Sequence, residues 1–321
     1  MRSTLLLLLF ALFITSLASG QVPDSPPQSR LFDAANLFTD LKNLSDDDME
    51  GRLVGSRGGI KAREYVVTRF RQSGIKAFGN SYLQPFEFSY PRKPDEKVQG
   101  ANVVGYIDGR EGLDKYIVIT AHYDHIGIIK GEIYNGADDN ASGTASLFAI
   151  AQYFNKHHPT NSIIFVATDA EEGSGAGALS FIKNPPVRRD TFVMNVNIDM
   201  IGRDKNNILY AVGTYDYPFF RPYLEKVAAK SPVKLMLGHD DPNRDKGDDY
   251  WPTMQDGISF HRNQIPYVYF GVEDYENLHK PTDDYLMIMP KFYVQAVETI
   301  IAAIEQFDGH LSEIQAQKPK K

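Results

Sequence analysis

The sequence predicts a single α/β domain built on a mixed, mostly parallel central sheet with helices on both faces. Short apolar runs rich in β-branched and aromatic residues recur along the chain and alternate with stretches of helical period. The runs are apolar at consecutive positions, as strands covered on both faces must be. With 321 residues, 42% hydrophobic and 23% charged, the chain has material for one large domain.

The first segment reads as a secretory signal peptide over residues 1–20. Arg2 precedes the apolar run 5–14, and Ala18-Ser19-Gly20 supplies small residues before Gln21. An exported protein, periplasmic or extracellular and without stable membrane association after cleavage, is the expectation. Residues 21–30, with Pro23, Pro26 and Pro27, read as a flexible lead-in, 31–310 as the folded domain and 311–321 as a polar tail.

Helices are expected over 31–44 and where Ala62, Val66 and Phe70 recur at i, i+4 and i+8 before the terminating Gly74. Strands follow at 116–120, 162–168, 192–198, 208–212 and 267–270. Helices fit at 141–154, 177–183, 218–230 and 291–307, the last carrying Val294, Val297, Ile301 and Ile304 on one face.

There is no cysteine, so neither disulfides nor thiolate metal ligands contribute. The formal charge of −7 becomes one unit more negative when Arg2 leaves with the signal, which argues against a nucleic-acid partner.

Metal-capable residues cluster at strand ends, where ligands bind in such sheets. His122 and Asp124 follow the strand at 116–120, and Asp124 in extended chain shares the face of His122 and can orient its imidazole. Asn135-Gly136-Ala137-Asp138-Asp139-Asn140-Ala141-Ser142-Gly143 packs two acids before a helix; a helix cap accounts for one of Asp139 or Asn140 but not for both acids. Glu171 and Glu172 follow a buried strand, where two carboxylates repel unless a cation or proton is present. Asp199 repeats that placement, and His279 lies in a polar loop with Asp283. The other histidines, including His125 and His261, have no comparable acidic pattern and read as structural or exposed.

Together, His122-Tyr123-Asp124, the 135–143 block, Glu171-Glu172, Asn197-Ile198-Asp199 and the His279 loop resemble the ligand blocks of the co-catalytic dizinc aminopeptidases, metallopeptidase family 28. The stretch Met49-Glu50-Gly51-Arg52-Leu53-Val54-Gly55-Ser56 resembles that family's opening. The resemblance implies a zinc-dependent exopeptidase-like fold, two Zn²⁺ per chain and hydrolysis of N-terminal residues from peptides by a metal-activated water. It implies Asp138 as the bridge, His122 and Asp199 on one side, Glu172 and His279 on the other, and Glu171 as general base. Asp124, Asp139, Asp256 and Asp283 would support these ligands, and a cis peptide would join Asp138 to Asp139.

Two Zn²⁺ offset three carboxylates and one hydroxide to near neutrality, which makes such a cluster buriable. One departure stands out: where many relatives carry Ser-Asp-His, this chain reads Gln255-Asp256-Gly257, with His261 or Tyr250 as nearby substitutes.

Two other readings compete. A glutaminyl cyclase of the same fold resembles a single-zinc site, against which the five-ligand set argues. The Gly173-Ser174-Gly175-Ala176-Gly177-Ala178 run matches a relaxed dinucleotide fingerprint, but Glu171 and Glu172 would face the pyrophosphate. Substrate preference and oligomeric state are not encoded in any motif of the chain.

Overall fold

The computed structural model describes residues 27–112, 114–253, 256–273 and 276–318. The signal-peptide expectation lies outside these residues, as do Gln255, Lys320 and Lys321. From Pro27 onward the lead-in is anchored: the Ser29 hydroxyl donates to Glu298 Oε1 at 2.7 Å.

Among the described residues eleven strands and eight α-helices follow one another: α1 Ala34–Leu44, α2 Arg57–Gln72, β1 Lys76–Ala77, β2 Leu83–Phe88, β3 Val98–Ile107, β4 Tyr116–His122, β5 Gly127–Ile129, β6 Glu132–Tyr134, α3 Gly143–Lys156, β7 Ser162–Thr168, α4 Ala176–Lys183, β8 Phe192–Ile198, β9 Ile208–Val212, α5 Arg221–Ala228, β10 Lys234–Leu237, α6 Gly257–Arg262, β11 Tyr267–Gly271, α7 Pro290–Gly309 and α8 Leu311–Ala316. The main sheet runs β1-β3-β7-β4-β8-β11-β9-β10, with β2 also paired to β3. Its centre, β7-β4-β8-β11, is parallel; β3 and β9 join it antiparallel.

Strand alternation sorts side chains onto the two faces. Ile117, Ile119 and Ala121 of β4 enter the larger core beneath α1, α2, α3 and α7, while Val118 joins the smaller core with Phe181 of α4 and Phe260 of α6. The expected α/β architecture, mixed with a parallel centre and covered on both faces, is the one observed. No helix among the described residues is long and apolar enough to cross a membrane.

Three expectations need correction. Residues 311–316 are helical rather than tail, because Leu311 and Ile314, one turn apart, are buried in the larger core. The helix expected over 218–230 starts as a 3-10 turn at Pro218–Phe220, then continues as α5 with Pro222 in its first turn. Strands β1, β2, β3, β5, β6 and β10 were not expected. Pro85 and the half-exposed alternation of β2, and Gly100 and Gly105 within β3, weaken the strand signal in sequence.

Candidate metal centre

The parallel strands β4, β7 and β8 deliver their carboxyl ends to one cleft. β4 ends on His122, β7 is followed by Asp169 and Glu171, and β8 by Asp199. The cleft, about 480 Å³, is lined by His122, Asp139, Glu171, Glu172, Asp199 and His279.

Asp139, not Asp138, occupies its centre. Its Oδ1 lies 3.2 Å from His122 Nε2 and its Oδ2 lies 3.0 Å from His279 Nε2. His122 Nε2 also meets Asp199 Oδ1 at 3.3 Å, and His279 Nε2 meets Glu172 Oε2 at 3.4 Å. The place between the two histidines, expected for Asp138, is thus taken by the next residue, and the cis peptide lies at Asp139-Asn140 rather than Asp138-Asp139.

Asp138 points inward instead. Its Oδ1 accepts the Gly202 N–H at 2.6 Å and the Ser142 hydroxyl at 3.2 Å. Burial, with Asp283 nearby, pushes its pKa well up. Burial pushes Asp139 the same way, but contacts with His122 and His279 outweigh it and hold Asp139 well below the usual carboxylate range.

Loops from distant parts of the chain set this geometry. The Asp283 carboxylate accepts the N–H groups of Asp138 and Asp139 at 3.1 Å each. Asn140 Nδ2 donates to Ile198 O at 2.9 Å and its Oδ1 accepts the Gly143 N–H at 2.9 Å, tying the block to the end of β8 and the start of α3. Gly136 adopts φ +53°, and a Cβ there would fall 2.5 Å from the His125 ring, so the turn needs glycine.

Arg52, from the opening motif, is fully buried. Its guanidinium donates to the carbonyls of Tyr123, Leu44, Asn135 and Gly136 at 2.5–2.9 Å, clamping the loop after His122 to the loop before Asp139. Buried polar groups are costly unless paired, and here each end of the fork has a partner.

Asp124 supports the site differently from expectation. His122 Nδ1 lies 3.2 Å from the Asp124 carbonyl oxygen and 3.7 Å from its carboxylate. That carboxylate accepts the N–H groups of Glu171 at 3.1 Å and Glu172 at 3.3 Å, because the chain turns as soon as β4 ends. Asp256 is buried and accepts the Thr168 hydroxyl at 2.5 Å; burial raises its pKa to about 6.

Burial pushes the Glu171 carboxyl well up, reinforced by Asp256, Glu172 and Asp199 against His122. A carboxyl so placed holds its proton more firmly than an exposed one. Burial opposes charge on His122, but Asp199, Asp124 and Asp139 outweigh it and hold that imidazole well above its ordinary pKa. His279, in contact with Asp139, is raised to about 9.

The donor chemistry fits zinc. Zn²⁺ takes imidazole nitrogen and carboxylate oxygen at about 2.0–2.2 Å, which separates neighbouring donors on a tetrahedral ion by about 3.3–3.6 Å. The four histidine–carboxylate contacts around Asp139 span 3.0–3.4 Å. Two donor groups converge, His122-Asp139-Asp199 and His125-Asp139-Glu172. His125, set aside in the sequence reading, is fully buried beside Glu172.

The cleft wall near Gly257 is built from Ile258 and Arg262 of α6, with Trp251 stacked on His239 at 4.0 Å. His261 turns away to Tyr217, 2.9 Å from its hydroxyl, and neither it nor Tyr250 lines the cleft. The Gly173–Ala178 run closes on itself: Ser174 and Gly175 donate to Glu171 O, and Ala176 to Ala170 O. Three of the backbone N–H groups in the run are thus already used, and Glu171 and Glu172 line the adjoining cleft, which counts against a phosphate there.

The model of "Peptidase family M28" matches residues 102–304. A probable zinc metalloprotease of Pyrenophora teres f. teres is 25% identical over 198 residues, covering 58% of this chain and 43% of that protein. The chain thus spans less than half of that relative. The aminopeptidase from Aneurinibacillus sp. strain AM-1 superposes with a TM-score of 0.70 at 15% identity, over 86% of this chain and 94% of that one. The Fimbriiglobus ruber glutaminyl cyclase superposes with a TM-score of 0.69 at 19% identity, over 89% and 99%. At such identities these structures speak to the fold, which they share. The family match, by contrast, runs from β3 into α7 and takes in every residue from His122 to His279 that converges on Asp139; the chain belongs to peptidase family M28, a family of zinc metallopeptidases.

Proposed function

We propose that the protein is a two-zinc aminopeptidase that removes N-terminal residues from peptides. One observation carries the reading: the two oxygens of Asp139 face two different histidines, each of which meets a second carboxylate. A single-metal hydrolase has no use for that duplication. His122 and Asp199 would hold one ion, Glu172 and His279 the other, with Asp139 between them. When bound, such ions polarise a carbonyl and make water acidic enough to attack at neutral pH.

The chain's own residues supply the rest. Glu171 lines the cleft and takes a proton from water, then delivers it to the leaving amine; its raised pKa suits both steps. Asp124 fixes the backbone of Glu171 and Glu172, so base and ligand keep their separation. Trp251 and Ile258 offer an apolar wall to the substrate side chain.

A panel of aminoacyl anilides assayed with chelator and after Zn²⁺ return, alongside metal analysis, tests the proposal. We expect loss and recovery of activity with two zinc ions per chain. One ion per chain, with cyclisation of N-terminal glutamine, would instead assign the cyclase chemistry. Export rests on residues 1–20, and N-terminal sequencing of the secreted protein, expected to begin at Gln21, checks it.

A further inference from the structure

His125 sits three residues beyond His122, past the end of β4, and is completely buried. Its Nδ1 lies 2.7 Å from Glu172 Oε1 and 3.8 Å from Asp139 Oδ2. Yet neither ring nitrogen has a hydrogen-bond partner, and Glu172 Oε1 has none either. The short contact misses the in-line direction that an N–H···O bond needs.

Two buried, electron-rich atoms at that distance repel unless something positive lies between or beside them. An N–H aimed off the line does not fill that role. A cation seated to one side of the line does, because both donors then point at it rather than at each other. The Asp139 oxygen on the same side completes the convergent group His125-Asp139-Glu172.

We propose that His125 Nδ1 is a further nitrogen donor to the ion on the Glu172 side of the site. The inference rests on the metal-binding reading above and extends it. That side then has His125 and His279 as nitrogen donors with Asp139 and Glu172 as oxygen donors, a full set for a four-coordinate ion. The His122 side has only Asp139 and Asp199 beside its histidine, which leaves a position open for water. Closed shells characterise structural zinc and open ones catalytic zinc. His125 is buried and fixed, whereas the His279 side chain is 53% exposed on its loop, so His125 is the more firmly placed imidazole.

The test uses the full chain with His125→Phe, which keeps the ring volume, and His125→Gln, which keeps a polar group should Phe disturb packing. Thermal unfolding in chelator confirms that the variants fold. Zinc affinity is measured by competition with a chromophoric chelator, and imidazoles per ion by X-ray absorption of the Co²⁺-loaded protein. We expect one ion to remain tight and the other to weaken on the order of 100-fold or more, beyond the usual 10–100-fold for loss of an outer partner. The imidazole count should fall from three to two per pair of ions.

An unchanged count overturns the proposal and places His125 behind Glu172 as a mere support, whatever the affinity does. A wild-type protein that takes one ion contradicts the two-metal reading itself. Two ions bound with equal imidazole counts in wild type and variants contradict only the His125 assignment.

Discussion

The carboxylate of Asp283 accepts the backbone N–H of Asp139 at 3.1 Å, and so helps fix which of two consecutive aspartates faces the cleft. Asp138 and Asp139 are chemically alike and adjacent, yet one points inward with its pKa pushed up by burial, and the other is central with its pKa held down by His122 and His279. Substitution should separate them. Asp138→Asn keeps an acceptor for Gly202 and should cost less than about 1 kcal/mol in stability with metal retained. Asp139→Asn should lose metal affinity by on the order of 100-fold or more and abolish activity. Equal metal content in the two variants, measured after dialysis, would contradict the central place of Asp139.

Glu171→Gln should retain both zinc ions while turnover falls by about 10²–10⁴-fold, the usual worth of a positioned general base. The check is metal analysis paired with kcat on one anilide substrate. Full activity would remove Glu171 from proton transfer.

Arg52 holds three carbonyls in the loops after His122 and before Asp138, and a fourth at the end of α1. Arg52→Met fills similar volume but leaves those acceptors unpaired, each worth about 1–3 kcal/mol when buried. Chemical denaturation should show a loss of at least about 3 kcal/mol, with weaker zinc binding. A variant of wild-type stability and affinity would mean the loops hold without the clamp.

The metal-free protein should be less stable at neutral than at mildly acid pH. Burial with Asp124 nearby raises Asp169 to about 7, and burial raises Asp256 to about 6, against about 3.9 for Asp in an unfolded chain. Between about pH 4 and about pH 7 the folded state binds more protons than the unfolded one, so stability falls as pH rises. His279, raised to about 9, acts with the same sign: its contribution is full below about 6.5 and lost as pH climbs through 9. Melting in chelator should give a higher Tm near pH 5 than near pH 7.5. Zinc should shrink or reverse that difference, because ligands bind metal deprotonated. A chelated Tm that rises across this range would contradict the assignments.

The parallel centre was legible because β4, β7 and β8 are short, apolar and β-branched, and no tertiary partner is needed to see that. His122, Glu171, Glu172, Asp199 and His279 were legible as a set, since strand ends and acid pairs leave local traces; all five line the cleft. The choice between Asp138 and Asp139 was not, for it depends on Asp283 and Gly202, far along the chain. His125 was hidden for another reason: read as extended chain it leaves the face of His122, and only the turn after β4 brings it to Glu172. Arg52 was visible only within a motif, because a buried arginine paired to carbonyls carries no acidic partner in sequence.

The most direct test of the central claim is product analysis by mass spectrometry on one peptide with a free N-terminus, its N-acetylated twin and a variant beginning with glutamine, each incubated with the zinc-loaded protein. Stepwise loss of N-terminal residues from the free peptides, and none from the acetylated one, is the expected result. Internal cleavage, or loss of ammonia alone from the glutamine peptide, would contradict it.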